Sequence, residues 1–156
     1  MKILFVCTGN TCRSPMAEAI ARKIAIERGL LDVEAISAGT SAQTGAPASD
    51  GALLVGMERN MDLSAHRAQT LTRELVQSAD LVLAMGPHHL ERVEALGGSG
   101  RAYLLSDYAS HGASVRPISD PVGAELDVYR ATANELEEEI RRVLDRITAE
   151  RGSGAA

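Results

Sequence analysis

The feature that most constrains the fold is a short apolar run followed at once by a small polar loop and a helix start. Residues 2–6 read Lys-Ile-Leu-Phe-Val, which predicts a buried β-strand because such strands are short, apolar and rich in β-branched side chains. After the polar residues 7–13, Ser14 suits a helix N-cap and Pro15 suits the first helical position. Apolar residues then recur at helical spacing, and Gly29 is expected to end this helix.

The remaining chain repeats this alternation of strand and helix. Strands that alternate with helices form a parallel sheet covered on both faces, and 156 residues suggest one domain. We therefore predict an α/β fold: a single doubly wound domain over residues 1–151, with a four-stranded parallel sheet, followed by a flexible tail at 152–156. The further elements are strands at 33–38, 80–85 and 101–105 and helices at 49–59 and 87–96. A last helix carries the apolar face 136–147, and irregular segments cover 39–47 and 106–123.

Composition excludes several classes of protein. The formal net charge is −5 and there is no Trp. The chain therefore has neither a basic stripe that would bind phosphates nor a set of aromatic residues on which bases would stack, and nucleic-acid binding is not expected. The chain has no run of about 18 apolar residues, and its first residues lack the pattern of a secretory signal. Its two cysteines, Cys7 and Cys12, cannot form a disulfide scaffold. We therefore expect a cytoplasmic protein that binds neither a membrane nor nucleic acid.

The residues right after the first predicted strand carry the chemistry. Ligands of open α/β sheets bind at the carboxyl ends of the strands, which is where Cys7 stands. A helix start in the same place gathers backbone N–H groups that favour an anion. Gly9 is expected to supply a positive φ, Arg13 can pair with two phosphate oxygens, and Ser14 can donate a hydrogen bond to a Cys7 thiolate. The predicted phosphate-binding residues are Thr8, Gly9, Asn10, Thr11, Cys12, Arg13 and Ser14.

Two other interpretations of this loop stay open at this point. Cys7 can be an inert buried thiol, or the loop can belong to a phosphate-binding module without catalysis. A nucleotide-binding P-loop is excluded, because the chain has no Gly-x4-Gly-Lys-Ser/Thr. No group of His, Cys, Asp and Glu residues has the spacing of a metal site, so neither a metal nor a cofactor is expected.

The loop and its flanks resemble the signature of the low-molecular-weight protein tyrosine phosphatases. The matching stretch from position 6 to 18 reads Val-Cys-Thr-Gly-Asn-Thr-Cys-Arg-Ser-Pro-Met-Ala-Glu. Asp120-Pro121 matches the family's late Asp-Pro. The segments Ser37-Ala38-Gly39 and Leu63-Ser64-Ala65-His66-Arg67 also resemble family positions, so the resemblance covers nearly the whole chain.

This resemblance implies a mechanism. Cys7 would attack phosphorus in line and form a phosphocysteine, while Arg13 and the loop N–H groups hold the phosphate oxygens. Asp120 would protonate the leaving group and then activate the water that releases inorganic phosphate. The substrates would be phosphorylated proteins. Asn10 would support the loop through side-chain hydrogen bonds, with His66 as a partner in that network.

Two residues bear on which phosphorylated side chain is used. Members specific for phosphotyrosine often carry an aromatic residue after the Asp-Pro and a bulky aliphatic residue in the loop. This chain has Val122 and Thr11 at those positions. Thr11 resembles the protein arginine phosphatases of the same fold, and its hydroxyl leaves room for a water or a guanidinium nitrogen. Val122 departs from that subgroup, which tends to have a larger apolar residue. We expect phosphoarginine to be favoured modestly over phosphotyrosine.

Other functions on the same fold remain as alternatives. The first is a strict tyrosine phosphatase. An arsenate reductase needs a relay of cysteines, and none follows Cys12. A non-catalytic redox sensor would use both cysteines: Cys12 could trap an oxidised Cys7 as a disulfide, or it could simply pack behind the loop.

Outside the loop, His88 and His89 are expected at a solvated helix start, and the acidic run 135–139 on a solvated helix face.

Overall fold

The computed structural model describes residues 1–154 and contains one sheet of four parallel strands in the order β2-β1-β3-β4. The strands are β1 (Lys2–Cys7), β2 (Glu34–Gly39), β3 (Leu81–Ala84) and β4 (Ala102–Leu104). The α-helices are α1 (Arg13–Glu27), α2 (Asp50–Glu58), α3 (Arg73–Ser78), α4 (Pro87–Val93), α5 (Leu105–Ala109) and α6 (Leu126–Gly154), and a π-helical turn, Glu94–Gly98, directly follows α4. The predicted α/β class and the four-stranded parallel sheet are confirmed.

Side chains of β1 alternate between two hydrophobic cores, one on each face of the sheet. Ile3 and Phe5 pack in the larger core with residues of α1, α5 and α6. Leu4 and Val6 pack in the smaller core with residues of α3 and α4. All four side chains are fully buried, and each contributes about 1.5–3 kcal/mol through the hydrophobic effect. Helices therefore cover both faces, as the doubly wound arrangement requires.

The order of the strands makes β1 the switch point of the sheet. Its two neighbours, β2 and β3, lie on opposite sides of it, so the connections after β1 and after β2 run in opposite directions across the sheet. Ligands of open α/β sheets bind outside the carboxyl end of such a strand. Cys7 is the last residue of β1 and Arg13 is the first residue of α1, so the loop between them occupies that position.

Several element boundaries differ from the sequence prediction. Helix α1 begins at Arg13 with Cys12 as its N-cap, two residues earlier than expected, because the Ser14 hydroxyl is used inside the loop rather than as a cap. Helix α3 and helix α5 were not predicted, since 6 and 5 residues are too few to show a helical repeat. Helix α6 continues to Gly154, into the expected tail 152–156, of which 155 and 156 lie outside the described residues. The domain boundary at 151 stays a prediction.

Candidate active site

Backbone contacts from the end of β2 hold the loop between β1 and α1. The Thr40 N–H donates to the Cys7 carbonyl oxygen at 2.9 Å. The Ser41 N–H donates to the Thr8 carbonyl oxygen at 2.9 Å as well. A side chain at Gly39 would overlap that Thr8 oxygen, so the loop can approach β2 this closely only because residue 39 has no Cβ.

The turn of the loop depends on Asn10. Asn10 has a φ of 56°, whereas Gly9 does not adopt a positive φ, so that expectation for Gly9 is wrong. Asn tolerates the left-handed region, and here its buried side chain holds it there. Its Oδ1 accepts from the Gln69 N–H at 2.9 Å. Its Nδ2 donates to Ser14 Oγ at 2.8 Å and to Ser37 Oγ at 3.0 Å. These bonds explain why the loop needs an amide at this position.

Ser14 links this network to the Cys7 sulfur. Ser14 Oγ lies 2.8 Å from Cys7 Sγ and accepts a hydrogen bond from Asn10. Its own hydrogen is therefore free to point at the sulfur and to donate a hydrogen bond to it. His66 Nε2 donates to the Asn10 carbonyl oxygen at 2.7 Å. The structure thus brings together the residues that the resemblance assigned to loop support.

A cleft of about 300 Å³ opens over Cys7. Nearly all the predicted site residues line it. Asn10 and Ser14 do not, because they are buried beneath the loop. Asp120 and Val122 line it from the far segment of the chain, and no lining residue is aromatic. The cleft therefore combines a thiol, a guanidinium, a carboxylate and two loop hydroxyls in one small volume.

Arg13 and Asp120 meet in this cleft. The largely buried Arg13 guanidinium donates from Nη1 to the Ile118 carbonyl oxygen at 3.1 Å. Its Nη2 lies 3.4 Å from Asp120 Oδ2. Asp120 is half-exposed, and its Oδ1 accepts from the Val122 N–H at 3.1 Å in a side-chain turn. One Arg13 nitrogen is thus used to fix the guanidinium, and the other faces the carboxylate.

Cys12 is a buried member of the larger hydrophobic core, and its sulfur also contacts two polar groups. Its Sγ lies 3.2 Å from Ser49 Oγ and 3.4 Å from the Tyr129 hydroxyl. Cys7 and Cys12 are both free thiols. Burial raises the pKa of Tyr129, and its hydrogen bond to Cys12 raises it further. Sequence reasoning did not place Tyr129 at this site.

The prediction of a solvated helix start at His89 is wrong, although His88 is exposed as expected. His89 lies in the first turn of α4, fully buried, with Nε2 2.8 Å from Thr8 Oγ1. Its Nδ1 has no hydrogen-bond partner within residues 1–154. Burial lowers the pKa of His89 to about 4, and the charges of His88 and Arg13 act in the same direction. The ring is therefore neutral near pH 7.

The acidic run 135–139 does not form one solvated face, which corrects that prediction as well. Glu139 is only 3% exposed and pairs with Arg142 at 3.0 Å and with Arg116 at 3.5 Å. Burial raises its pKa. Glu135 is half-buried and binds the segment that carries Asp120. Two members of the run therefore serve tertiary contacts that helical periodicity alone did not indicate.

Comparison with known proteins settles the family. Residues 2–153 match the family described as low molecular weight phosphotyrosine protein phosphatase. The chain belongs to this family. It is 41% identical to the protein-arginine-phosphatase of Bacillus subtilis, over 97% of this chain and 99% of that one. It is 39% identical to the low molecular weight protein-tyrosine-phosphatase PtpB of Staphylococcus haemolyticus, over 87% and 92% of the two chains.

A solved structure adds evidence on the reaction. A YwlE arginine phosphatase C7S mutant with a phosphorylated active-site serine matches this fold with a TM-score of 0.89, at 39% identity, over 97% of this chain and 98% of that one. The expected class is thereby confirmed: a cysteine-dependent protein phosphatase that acts on phosphorylated proteins through a phosphocysteine. Within residues 1–154, no helix is both long and apolar enough to cross a membrane.

Proposed function

We propose that this phosphatase favours phosphoarginine over phosphotyrosine, with Cys7 as nucleophile, Arg13 as the phosphate-binding cation and Asp120 as general acid. One observation carries the choice of substrate. The cleft over Cys7 is lined by Thr11 and Val122, and by no aromatic side chain. A phenol ring thus lacks a stacking partner there, whereas the Thr11 hydroxyl can bond a guanidinium nitrogen or a water between them.

In the first proposed step, the Cys7 thiolate attacks phosphorus and the bond from phosphorus to the arginine nitrogen breaks. Asp120 gives its proton to that nitrogen, so the leaving group departs as a neutral or cationic guanidine derivative. Arg13 and the backbone N–H groups of residues 8–14 stabilise the negative charge on the equatorial oxygens as the transition state forms. The Ser14 hydroxyl, 2.8 Å from Cys7 Sγ, can donate a hydrogen bond to the attacking sulfur.

In the second proposed step, Asp120 takes a proton from a water that attacks the phosphocysteine. The bond from phosphorus to sulfur breaks, inorganic phosphate leaves, and the thiolate is restored. The contact between Arg13 and Asp120 fits this sequence. Once phosphate oxygens bind Arg13, the carboxylate gives up that partner and can face the leaving group or the water.

The proposal needs neither a metal nor a cofactor, because Arg13 and the loop N–H groups supply the positive charge. It includes a cytoplasmic location, phosphorylated proteins as substrates, inorganic phosphate as product, and neither nucleic-acid nor membrane binding. The formal net charge of −5 supports the exclusion of nucleic acid.

A strict tyrosine phosphatase is the second candidate. Val122 weakens the match to the arginine-directed subgroup, which tends to have a larger apolar residue, although it is not the aromatic residue that phosphotyrosine-specific members often carry. It is 65% exposed at the mouth of the cleft. PtpB, named as a tyrosine phosphatase, is also similar to this chain.

The deciding experiment measures kcat/KM on two peptides of the same sequence, one with phosphoarginine and one with phosphotyrosine. A higher value on phosphoarginine supports the proposal. A higher value on phosphotyrosine selects the second candidate. Hydrolysis of neither peptide contradicts both.

A further inference from the structure

The segment that carries Asp120 contains neither helix nor strand. We call residues 114–123 the acid loop. The Ile118 N–H donates to the Met85 carbonyl oxygen at 2.9 Å, and Arg13 donates to the Ile118 carbonyl oxygen at 3.1 Å. Ile118 stands two residues before Asp120, and these two bonds tie it to the end of β3 and to the start of α1.

Glu135, on α6, binds the acid loop at two further points. Its Oε1 accepts from the Ser119 N–H at 3.1 Å, and its Oε2 accepts from Arg116 Nη1 at 2.9 Å. Ser119 directly precedes Asp120, so the carboxylate holds the residue next to the proposed acid. The Glu135 side chain is 20% exposed, and hydrogen bonds to an ionised group in such partly shielded surroundings are stronger than neutral ones.

After Asp120, Pro121 is buried, but the loop's hydrogen bonds within residues 1–154 are local. The Val122 N–H bonds the Asp120 carboxylate itself, and the Ala124 N–H bonds the Pro121 carbonyl oxygen. Gly123 adopts a φ of 75°, which lets the chain turn toward α6. Within residues 1–154, and apart from the pair with Arg13, the long-range hydrogen bonds that hold the acid loop near Asp120 therefore lie on its N-terminal side.

We propose that Glu135 is a positioning residue for proton transfer. By bonding the Ser119 N–H and Arg116, it keeps Asp120 at the mouth of the cleft. The proposal rests on the proposed function, in which Asp120 is the general acid. Glu135 does not line the cleft, so it acts through Asp120 rather than on the phosphate.

The test compares leaving groups. Glu135→Ala should lower kcat on phosphopeptides roughly 10-fold, since it removes charge-assisted bonds that hold the acid. KM and inhibition by vanadate should stay unchanged, because the phosphate loop is untouched. The loss should largely disappear with p-nitrophenyl phosphate, whose leaving group needs little protonation. Glu138→Ala is the matched control: Glu138 lies on the same helix, pairs with Arg142 at 2.9 Å, and should leave kcat unchanged.

A second comparison separates this proposal from the proposed function. In an Asp120→Asn background, Glu135→Ala should cause no further loss, because there is no acid left to position. A further 10-fold loss there, or an equal loss on both leaving groups, overturns the role of Glu135. A normal kcat for Asp120→Asn alone overturns the proposed acid instead.

Should Glu135→Ala fail to fold, Glu135→Gln takes its place, because it keeps a neutral acceptor for the Ser119 N–H. The decrease in kcat for Glu135→Gln should be smaller than for Glu135→Ala, but it must likewise be larger on phosphopeptides than on p-nitrophenyl phosphate. An equal decrease on both substrates rejects the proposal.

Discussion

Arg13 Nη2 lies 3.4 Å from Asp120 Oδ2, so the start of α1 and the acid loop meet across the cleft that opens over Cys7. Because Asp120 is half-exposed, water screens this pair and it adds at most about 1 kcal/mol to the free energy of unfolding. Its importance is geometric. It places the proposed acid next to the cation that would hold phosphate.

Removing the carboxylate of Asp120 should slow the chemical step. Asp120→Ala should lower kcat on phosphopeptides by roughly 10²–10⁴, the usual contribution of general acid catalysis. The loss should be much smaller on p-nitrophenyl phosphate, and steady-state kinetics on both substrates check this. An equal loss on good and poor leaving groups would mean that Asp120 only supports the structure.

Replacing the loop hydroxyl should change substrate preference. Thr11→Ile adds apolar bulk at the cleft and removes a partner for the guanidinium, a loss of about 1.5–3 kcal/mol or roughly 10–150-fold in kcat/KM. We expect that drop on a phosphoarginine peptide, with phosphotyrosine hydrolysis unchanged or faster. Thr11→Ser keeps the hydroxyl and should retain most activity on phosphoarginine. If Thr11→Ile slows both substrates equally, Thr11 merely shapes the loop.

Oxidation should inactivate the enzyme reversibly. Peroxide would oxidise the Cys7 thiolate to a sulfenic acid, and the Cys12 thiol would then displace water to form a disulfide. A thiol reductant should restore activity to the wild type but not to Cys12→Ser, in which Cys7 oxidises further. Ser49→Ala removes a polar neighbour of Cys12 while keeping its thiol, so it should recover. Full recovery of Cys12→Ser would show that Cys12 only packs.

The buried His89 should make the protein less stable in mild acid. Its pKa is about 4 in the folded protein, mainly because of burial, against about 6.5 in the unfolded chain. The unfolded chain therefore binds the proton first as the pH falls below about 6.5. The contribution of neutral His89 to the free energy of unfolding is therefore complete above about pH 6.5. It decreases by up to about 3 kcal/mol between pH 6.5 and pH 4, and it does not change further below pH 4.

Denaturant unfolding across this pH range tests the effect. The wild type should lose more of its free energy of unfolding than His89→Gln, which has no group that titrates there. Identical pH profiles for the two proteins would show that His89 does not control this dependence.

The phosphate loop could be predicted because its parts are consecutive in the sequence. A buried strand, Cys7, Arg13 and a helix start follow one another within the first 14 residues, so a local pattern carries the whole motif. The alternation of strands and helices likewise predicted the sheet. The sequence did not predict that Asn10, rather than Gly9, has the positive φ of the turn, because this conformation depends on a hydrogen bond from the distant Gln69.

Contacts between distant segments explain the other misses. His89 stands behind Gly-Pro at a helix start, a pattern typical of solvent exposure, yet its partner is Thr8, which directly follows the carboxyl end of the neighbouring strand β1. Glu135 and Glu139 belong to a run that has the composition of a solvated face. Their burial follows from the acid loop packing on α6, which no local periodicity indicates.

The most direct test of this account asks where the phosphate goes. The Cys7→Ser protein is incubated with a phosphoarginine peptide and quenched in denaturant, and its phosphorylated residue is located by mass spectrometry, with Cys7→Ala as control. We expect phosphate at position 7 of the Ser variant, none at that position in the Ala variant, and no continued turnover by either. Wild-type turnover by Cys7→Ser, or a variant that binds vanadate normally but gains no phosphate at position 7, would contradict Cys7 as the nucleophile.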